Sequence, residues 1–293
     1  TEEGPLAVGV PGLVAGAAKA LELHGTMTLA QVLRPAIRLA REGIVVTPRL
    51  AGIIADKFEK LSRYPAAARV YLPDGLPPEP GARLANEDLA RTLEAIAAGG
   101  PGAFYEGPVG KAIVAEVKGR GGLLDEADLA GYRAIVREPV RGTYRGVEIL
   151  SASPPTAGGT ALVELLNVLE EFDLAGWGRG DVRTLHVIAE ASKMAFVDKA
   201  ATNGDPDFVR VPVEALASKE HAKSLAARVR LDAARFDYEA GAFAASDSPS
   251  TSHVSVVDGA GNAVALTQSV NLYFGSGVMA PGTGFVLNDH LND

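Results

Sequence analysis

Residues 251–271 read TSHVSVVDGAGNAVALTQSVN, and this stretch decides which class of fold the chain adopts. Apolar β-branched residues lead into the turn formers DGAGN (258–262), and a second run of small and apolar residues follows at 263–270. Such runs on either side of a Gly/Asn/Asp cluster are typical of two strands joined by a turn. The stretch is therefore predicted to be a β-hairpin that begins directly after Thr251.

The sequence before this hairpin is mainly helical in pattern, with loops rich in Gly and Pro. Helical spacing of apolar residues predicts helices at 11–25, 28–43, 86–98, 109–117, 160–169, 181–200 and 219–229, with a short one after Asp125. Turn formers among the apolar residues 140–150 predict short strands, and residues 238–250 have the composition of an exposed linker. Helices that are segregated from strands favour an α+β fold over an alternating βαβ sheet.

The composition excludes several classes of function. The formal net charge is -8 and the basic residues do not cluster, so neither nucleic acid nor an anionic membrane surface is an expected partner. The chain has no cysteine, which excludes disulfides, thiolate metal sites and a cysteine nucleophile. Its apolar runs are short and interrupted by Gly, Pro or charge, so no membrane span is expected.

The hydroxyl group of Thr251 stands at the start of the predicted hairpin, directly after the predicted linker. Attack of its oxygen on the carbonyl carbon of Ser250 would shift the acyl group from nitrogen to oxygen, and hydrolysis would free a new α-amino group. That amine, with a pKa of about 8, can act as general base for its own hydroxyl. A Ser-Thr-Ser run before a strand is also typical of a solvated loop, so the local sequence leaves both interpretations open.

Two groups of short motifs occur in a defined order along the chain. Around the hairpin they are TSHVSVVD (251–258), GNAV (261–264), SVN (269–271), FGSG (274–277) and the segment 284–288. Before the hairpin they are PG (11–12), GTM (25–27), GGL (121–123), DL (128–129), PP (154–155), GG (158–159) and GDPDF (204–208). The first group resembles the start of the small subunit of gamma-glutamyltranspeptidases, and the second resembles their large subunit. The resemblance covers essentially the whole chain.

This resemblance implies a fold, a division of the chain and an activity. The implied fold is the four-layer αββα sandwich of N-terminal-nucleophile hydrolases, incomplete here, with residues 1–250 as most of the large subunit and 251–293 as the start of the small one. The implied enzyme cleaves itself between Ser250 and Thr251. It then cleaves γ-glutamyl amides such as glutathione through a threonyl ester, and passes the acyl group to water or to an amino-acid or peptide acceptor. No metal or organic cofactor is implied, because nucleophile and base belong to one residue.

Individual site residues also follow from the resemblance. Thr251 falls on the nucleophile, and Ser269 falls where the family usually has a second threonine that hydrogen-bonds the nucleophile. Serine keeps the hydroxyl donor and loses only a methyl group, which loosens its rotamer. Asn271 and Asp293 match residues that hold the α-ammonium group of the substrate, to which a carboxylate gives a charge-assisted hydrogen bond. His290 stands where the family commonly has glutamine or glutamate as a further acceptor.

The histidine at position 290 leaves alternatives open. A neutral imidazole accepts a hydrogen bond from an ammonium group, whereas a protonated one repels it, so γ-glutamyl binding should weaken in acid. A related acylase or amidase, of the kind that acts on cephalosporins, is therefore the nearest alternative, and a non-catalytic fragment is the other. The resemblance places the carboxylate-binding arginine before Thr1 and the oxyanion-binding glycines after Asp293, so this chain alone is expected to be inactive. Relatives are often exported, but no localisation is predicted.

The remaining ionisable residues are given structural roles. His253 alternates onto the same strand face as the nucleophile, which leaves no room for a triad built from neighbours. His221 has no acidic or histidine partner at ligand spacing in the sequence, so no metal site is expected there. Glu190, Lys193 and Asp198 are predicted to form a solvated helix face with local pairs.

Overall fold

The computed structural model describes residues 2–236 and 251–292. Ser250, Asp293 and the predicted linker at 238–250 lie outside the described residues. Residues 2–135 and 251–292 together form one compact unit, here called the first unit, and residues 136–236 form the second unit. The predicted division at 250/251 is a processing boundary, which compactness does not test, and it stays a prediction.

The described residues form helices and short antiparallel strands in the following order. The helices are α1 (Leu13–His24), α2 (Leu29–Glu42), α3 (Pro48–Asp56), α4 (Phe58–Ser62), α5 (Pro65–Tyr71), α6 (Glu87–Tyr105), α7 (Pro108–Gly119), α8 (Glu126–Gly131), α9 (Ala157–Glu170), α10 (Leu174–Trp177), α11 (Val182–Thr202), α12 (Val213–Leu216) and α13 (Lys219–Ala226). The strands are β1 (Ile44–Val45), β2 (Arg83–Leu84), β3 (Val140–Tyr144), β4 (Val147–Ser151), β5 (Ser252–Val257) and β6 (Ala263–Gln268). Single 3₁₀ turns lie at Pro5–Ala7, Pro73–Gly75 and His290–Asn292. The α+β prediction is confirmed.

Helix α2 begins and ends at the residues that its sequence predicts. The Thr28 hydroxyl accepts from the backbone N–H of Gln31 at 3.2 Å, and the Gln31 side chain accepts from the N–H of Thr28 at 2.8 Å. This reciprocal capping box satisfies two N–H groups that have no partner within the helix. Gly43, at φ +82°, ends the helix in a conformation that residues with a Cβ rarely adopt.

The region 44–72 holds three helices for which the sequence pattern gave no prediction. Thr47 caps α3 by accepting from the N–H of Leu50 at 3.1 Å, and Pro48 follows at the first helical position. Helices α4 and α5 are five and seven residues long. Elements this short carry too few turns for the helical spacing of apolar residues to stand out.

The core of the first unit includes the segment that follows the β5–β6 hairpin. Val278, Met279, Ala280 and Leu287 are at most 1% exposed and pack with buried residues of the helices α3–α7. Burying several large apolar side chains stabilises a unit by roughly 2 kcal/mol each. The chain after β6 is therefore anchored in the core and not held by the hairpin alone.

The β5–β6 hairpin itself is exposed on both faces. Its strands pair antiparallel from Ser252 opposite Gln268 to Val257 opposite Ala263, as the sequence predicts. The carboxylate of Asp258 closes the turn, because it accepts from the backbone N–H groups of Ala260 and Asn262 at 2.9 Å each. These two hydrogen bonds hold the turn and thereby help to fix the register of the two strands.

The second unit is built on three helices. α9 packs against α11 and α13, and the antiparallel β3–β4 pair packs on α9. The core residues of the three helices are Val168, Leu169, Val187, Ala191, Met194, Ala222 and Leu225. Glu190 is 1% exposed and accepts from the Lys193 ammonium group at 2.6 Å. The prediction of a solvated face is therefore wrong for Glu190, because α11 is covered on this side as well.

Within the described parts of the chain, none of the helices combines the length and hydrophobicity needed to cross a bilayer.

Gly282 and Gly284 offer a matched test of how the segment after the hairpin docks on α6. Both have positive φ, +79° and +76°, but a Cβ on Gly282 would meet no atom within 4 Å, whereas one on Gly284 would lie 2.1 Å from the backbone nitrogen of Leu89. We expect Gly282→Ala to lower the free energy of unfolding by about 1 kcal/mol through backbone strain alone. Gly284→Ala also displaces the Asn86 cap of α6 and should cost about 3 kcal/mol or more.

Urea unfolding of the two variants beside the unmodified protein measures both values. Equal losses at the two positions would contradict the docking described, since only Gly284 faces backbone atoms.

Candidate active site

The register of the hairpin brings two hydroxyl groups together. Thr251 directly precedes β5 and Ser269 directly follows β6, and the adjoining residues Ser252 and Gln268 are the outermost pair of the ladder. Thr251 Oγ1 consequently lies 2.9 Å from Ser269 Oγ, a hydrogen-bond distance. The Thr251 side chain is exposed, so its oxygen is accessible to an incoming carbonyl group.

Ser269 connects the other candidate residues as well. Its Oγ accepts from the backbone N–H of Asn271 at 2.9 Å. Because the oxygen already accepts one hydrogen bond, the hydroxyl proton of Ser269 can be directed to Thr251 Oγ1. A donor in this place is suited to stabilising negative charge on the threonine oxygen.

Asn271 turns the chain from the hairpin into the core. It is 5% exposed and has a φ of +70°, a left-handed conformation that asparagine tolerates better than most residues. The hydrogen bond from its N–H to Ser269 is the local contact that holds this turn. Asparagine at 271 therefore has a backbone role in addition to any side-chain role.

His290 lies against the same serine from the opposite segment. Its Nε2 is 3.2 Å from the backbone carbonyl oxygen of Ser269. Since a carbonyl oxygen only accepts, Nε2 carries the proton in this contact and donates it. The remaining ring nitrogen, Nδ1, is the one that can accept when the imidazole is neutral.

An asparagine pins the His290 segment to the start of the chain. Asn288 Oδ1 accepts from the N–H of Gly9 at 3.0 Å, and Asn288 Nδ2 donates to the carbonyl oxygen of Gly9 at 2.9 Å. The same Oδ1 also accepts from the N–H of His290 at 3.1 Å. These three hydrogen bonds fix the position of the backbone at His290. Asn288 belongs to one of the sequence motifs, but the sequence predicts no role for it, because its partner Gly9 is remote in sequence.

A buried lysine holds the loop between the hairpin and the core. Lys60 is 4% exposed, and its ammonium group donates to the carbonyl oxygens of Gly275 at 2.9 Å and Tyr273 at 3.3 Å. It also lies 3.1 Å from a carboxylate oxygen of Glu3. A buried ammonium group is tolerated when all three of its donors are used, as they are here. Nothing local in the sequence around Lys60 indicates this function.

Asp289 joins the segment that carries His290 to the segment that follows Ser269. Its N–H donates to the carbonyl oxygen of Val270 at 3.3 Å, and its Oδ1 accepts from the N–H of Leu272 at 3.2 Å. The residue is fully buried, and among the described residues Oδ2 finds no hydrogen-bond partner. Burial raises the pKa of Asp289 above the ordinary value of an aspartate, because the charged form is poorly solvated there.

The structure thus brings together four of the five predicted site residues: Thr251, Ser269, Asn271 and His290. The fifth, Asp293, lies outside the described residues. The prediction that sequence neighbours form no triad agrees with the geometry at His253, whose ring nitrogens contact the hydroxyl groups of Thr267 at 2.7 Å and Ser255 at 3.1 Å.

A second group of ionisable side chains lies in the second unit and includes none of the predicted site residues. His221 Nε2 is 2.7 Å from Asp198 Oδ2 and 3.7 Å from Glu164 Oε1. The prediction that His221 has no acidic partner is therefore wrong in space. Spacing along the sequence missed the group because its members lie on three different helices.

Comparison with known proteins identifies the family. The family model described as gamma-glutamyltranspeptidase matches residues 1–293. The chain is 44% identical over 288 residues to the Acylase ACY 1 proenzyme of Pseudomonas sp. (strain SE83), a match that covers 98% of this chain and 51% of that protein. It is 40% identical over 291 residues to the Glutathione hydrolase proenzyme of Escherichia coli (strain K12), with 98% of this chain and 50% of that protein covered.

A solved structure supports the fold. The crystal structure of cephalosporin acylase from Bacillus halodurans superimposes with a TM-score of 0.87 at 30% identity, over 99% of this chain and 53% of that one. The N-terminal-nucleophile hydrolase fold implied by the resemblance is thus confirmed. The chain spans about half the length of the curated relatives it matches.

The buried carboxyl group of Asp289 predicts a specific dependence of stability on pH. Its pKa is raised in the folded state, so ionisation costs stability; the cost is absent below the ordinary aspartate pKa and complete above the raised one. We therefore expect Asp289→Asn to become more stable relative to the unmodified protein as the pH rises. Urea unfolding at a series of values from about pH 4 to about pH 8 measures it.

Asp258 provides a control of opposite sign. Hydrogen bonds from Asn262 lower its pKa, so its ionised form stabilises the fold at neutral pH and that contribution is lost as the pH falls through the lowered value. Asp258→Asn should therefore become less destabilising as the pH falls below about 4, and the measurements on this variant extend to about pH 2. Parallel pH profiles for the two variants would refute the assignment at Asp289.

Proposed function

This chain belongs to the gamma-glutamyltranspeptidase family, and we propose that the protein containing it cleaves γ-glutamyl amides such as glutathione through an ester on Thr251. The observation that carries the proposal is the 2.9 Å contact between the hydroxyl groups of Thr251 and Ser269 at the open end of the hairpin. A threonine directly before a strand, with a hydroxyl donor beside its oxygen, has the two features that this chemistry requires. The Glutathione hydrolase proenzyme of Escherichia coli supports the substrate class.

The proposed first step is self-cleavage between Ser250 and Thr251. Thr251 Oγ1 attacks the carbonyl carbon of Ser250, the peptide C–N bond breaks, and the hydroxyl proton passes to the departing nitrogen. The result is an ester, which water hydrolyses to free the carboxyl group of Ser250 and restore the hydroxyl of Thr251. Residues 1–250 then belong to a large subunit, and residues 251–293 begin a small one.

The same oxygen then carries out the proposed turnover. The freed α-amino group of Thr251 takes the hydroxyl proton, and Oγ1 attacks the amide carbon of the substrate. The proton passes to the leaving amine as the amide C–N bond breaks, and the acyl group stays on Thr251 as an ester. Water or an amino group of an acceptor then displaces it. Ser269 donates a hydrogen bond to Oγ1 and positions it throughout.

Recognition of the substrate's α-ammonium group is proposed for Asn271, Asp293 and His290. The amide oxygen of Asn271 is an acceptor, and the carboxylate of Asp293 supplies the opposite charge. Asn271 lies in a fixed conformation beside Ser269, close to where the acyl group forms. His290 contributes as an acceptor through Nδ1 alone, since its Nε2 proton is directed at the carbonyl oxygen of Ser269.

That histidine geometry also favours a second candidate function. With Nε2 committed to Ser269, the site has a weaker set of acceptors for an ammonium group than a glutamine or glutamate side chain would provide. An acyl group without an α-ammonium group would lose less at such a site. An acylase acting on other amides is therefore the alternative, and the relative named Acylase ACY 1 proenzyme supports it.

Self-cleavage can be tested on the whole protein by intact-mass analysis. The unmodified protein should yield two pieces that divide before Thr251, and Thr251→Ala should remain one chain because the attacking oxygen is gone. Ser269→Ala should slow cleavage by about tenfold, the value of one hydrogen bond, whereas Ser269→Thr should restore it.

Ser252→Ala is the matched control, since it removes the neighbouring hydroxyl group and should leave the cleavage rate unchanged. Cleavage that persists in Thr251→Ala, or that is lost only in Ser252→Ala, would refute Thr251 as the nucleophile.

The substrate class can be tested by the ratio of kcat/KM for a γ-glutamyl anilide to that for a glutaryl anilide, which lacks only the α-ammonium group. His290→Gln should raise this ratio by about fivefold, because the amide oxygen of glutamine has two lone pairs and stays unprotonated, whereas the neutral imidazole accepts through Nδ1 alone. His253→Gln is the control, since His253 contacts its own hairpin and should leave the ratio unchanged.

An unmodified protein that prefers the glutaryl anilide would establish the acylase alternative. An unchanged ratio in His290→Gln would show that His290 does not bind the α-ammonium group.

A further inference from the structure

Three ionisable side chains converge inside the second unit. The Nε2 atom of His221, a carboxylate oxygen of Asp198 and a carboxylate oxygen of Glu164 all lie within 4.8 Å of one another. The closest pair is His221 Nε2 with Asp198 Oδ2 at 2.7 Å, and Glu164 Oε1 is 3.7 Å from the same nitrogen. Within the described residues, this is the one group of at least three such side chains whose ligand atoms come this close.

The packing of the three-helix core places these side chains. Glu164 lies on α9, Asp198 on α11 and His221 on α13, which are the helices that pack together in this unit. Glu164 stands one turn before the core residue Val168, and Asp198 stands one turn after Met194. The group therefore lies at one edge of the apolar core, where all three helices are held in place.

Glu164 is the residue that this packing leaves unexplained. It is 1% exposed, and among the described residues its Oε1 has no hydrogen-bond partner. A buried carboxyl group beside a second carboxylate costs stability unless something of positive charge is shared between them.

We propose that Glu164, Asp198 and His221 form a binding site for a divalent transition-metal cation of the zinc class. One imidazole nitrogen and two carboxylate oxygens are ligands that zinc accepts, whereas calcium and magnesium take oxygen ligands almost alone. The site is independent of the Thr251 chemistry, and nothing in the proposed function requires it.

The distances suit a small tetrahedral ion. Zinc with ligands about 2 Å away places neighbouring ligand atoms about 3.3 Å apart. The observed separations from His221 Nε2, 2.7 Å to Asp198 and 3.7 Å to Glu164, lie on either side of that value. All three ligand atoms lie within 4.8 Å of one another, so rotations of the side chains can bring them around one ion while the helices stay in place.

The surroundings provide a fourth position and a way in. A small cavity with room for about one water molecule is lined by Glu164 and Thr160, whose buried hydroxyl oxygen has no partner among the described residues. The Asp198 and His221 side chains are 26% and 30% exposed, which gives a cation access. Lys199 lines the same cavity, but its ammonium group lies over the Phe196 ring at 5.3 Å.

Three ligands from three helices give the cation a structural role. It would cross-link α9, α11 and α13, so its binding free energy would add to the stability of the second unit. The test uses the whole protein after removal of metal with a chelator, and zinc chloride as the probe. Calorimetric titration should give one tight zinc site per chain, and zinc at about a hundred times its Kd should raise Tm by roughly 5 °C.

Two substitutions of similar shape report on the site. Glu164→Gln and His221→Asn should each weaken zinc binding at least tenfold and abolish the zinc-dependent rise in Tm. Without zinc, Glu164→Gln should be at least as stable as the unmodified protein, because it replaces a buried carboxyl group that lies beside a second one with a neutral amide. The control is Glu220→Gln, which removes an exposed carboxylate beside His221 and should leave zinc binding unchanged.

Cobalt(II) gives a readout that does not depend on stability. Bound to the unmodified protein it should show the intense visible absorption of a four-coordinate site, and both variants should lose it. If the unmodified protein binds zinc no more tightly than Glu164→Gln, or if Glu220→Gln reduces binding as much, the proposal is wrong. If Glu164→Gln fails to fold, His221→Asn and the cobalt spectrum decide the question in the same way.

Discussion

The register of the β5–β6 hairpin is the constraint on which the candidate site depends. Side chains alternate along a strand, so a shift of one residue would turn Ser269 to the other face and separate it from Thr251. Asp258 holds the register from the far end by clamping the turn with hydrogen bonds from Ala260 and Asn262. A carboxylate six residues beyond the start of β5 thus helps to set a 2.9 Å contact at the opposite end of the hairpin.

An exposed two-stranded hairpin is marginally stable alone, so rigidity must come from its surroundings. The chain after β6 supplies it. Lys60 donates to two carbonyl oxygens of the loop, and Asn288 is hydrogen-bonded to Gly9. Asp289 is hydrogen-bonded to the backbone of Val270 and Leu272, directly after Ser269. These contacts are polar, directional and mostly buried. They position the serine more closely than apolar packing would, because a hydrogen bond fails when its geometry changes by a few tenths of an ångström.

Sequence alone predicted those features that depend on local spacing. Helix α2 follows from Thr28, the apolar period and Gly43, and the hairpin follows from β-branched runs around a turn. The identity of Thr251 as a candidate came from the order of motifs and not from its neighbours. Helices α3–α5 are not predicted from the sequence, because they are short or their apolar residues lack a clear helical period.

The sequence does not predict the contacts of Lys60, Asn288 and Glu164 for a different reason. Each depends on a partner far away in sequence, and a single sequence contains no record of such pairs. Lys60 reaches Gly275 across 215 positions, and Asn288 reaches Gly9 across 279. Asp198 reads as one charge on a solvated helix face until His221 is placed beside it. Residue type and period therefore locate elements, whereas the buried polar contacts between elements require coordinates.

The two candidate functions proposed for this site differ in whether the acyl group of the substrate carries an α-ammonium group, and different residues are proposed for bond cleavage and for recognition of that group. In the proposed chemistry Thr251 and Ser269 act on the scissile carbonyl group, which every amide presents in the same way, so their 2.9 Å contact is compatible with both candidate functions. In the proposed function, discrimination rests on acceptors for an ammonium group, and His290 offers one acceptor nitrogen, Nδ1, because its Nε2 proton is directed at Ser269. Losing one acceptor at a partly exposed site costs about 1 kcal/mol, or less than tenfold in rate. A penalty of that size lowers a preference for γ-glutamyl groups without reversing it, provided that Asn271 and Asp293 both contribute, and for this reason γ-glutamyl amides remain the first proposal.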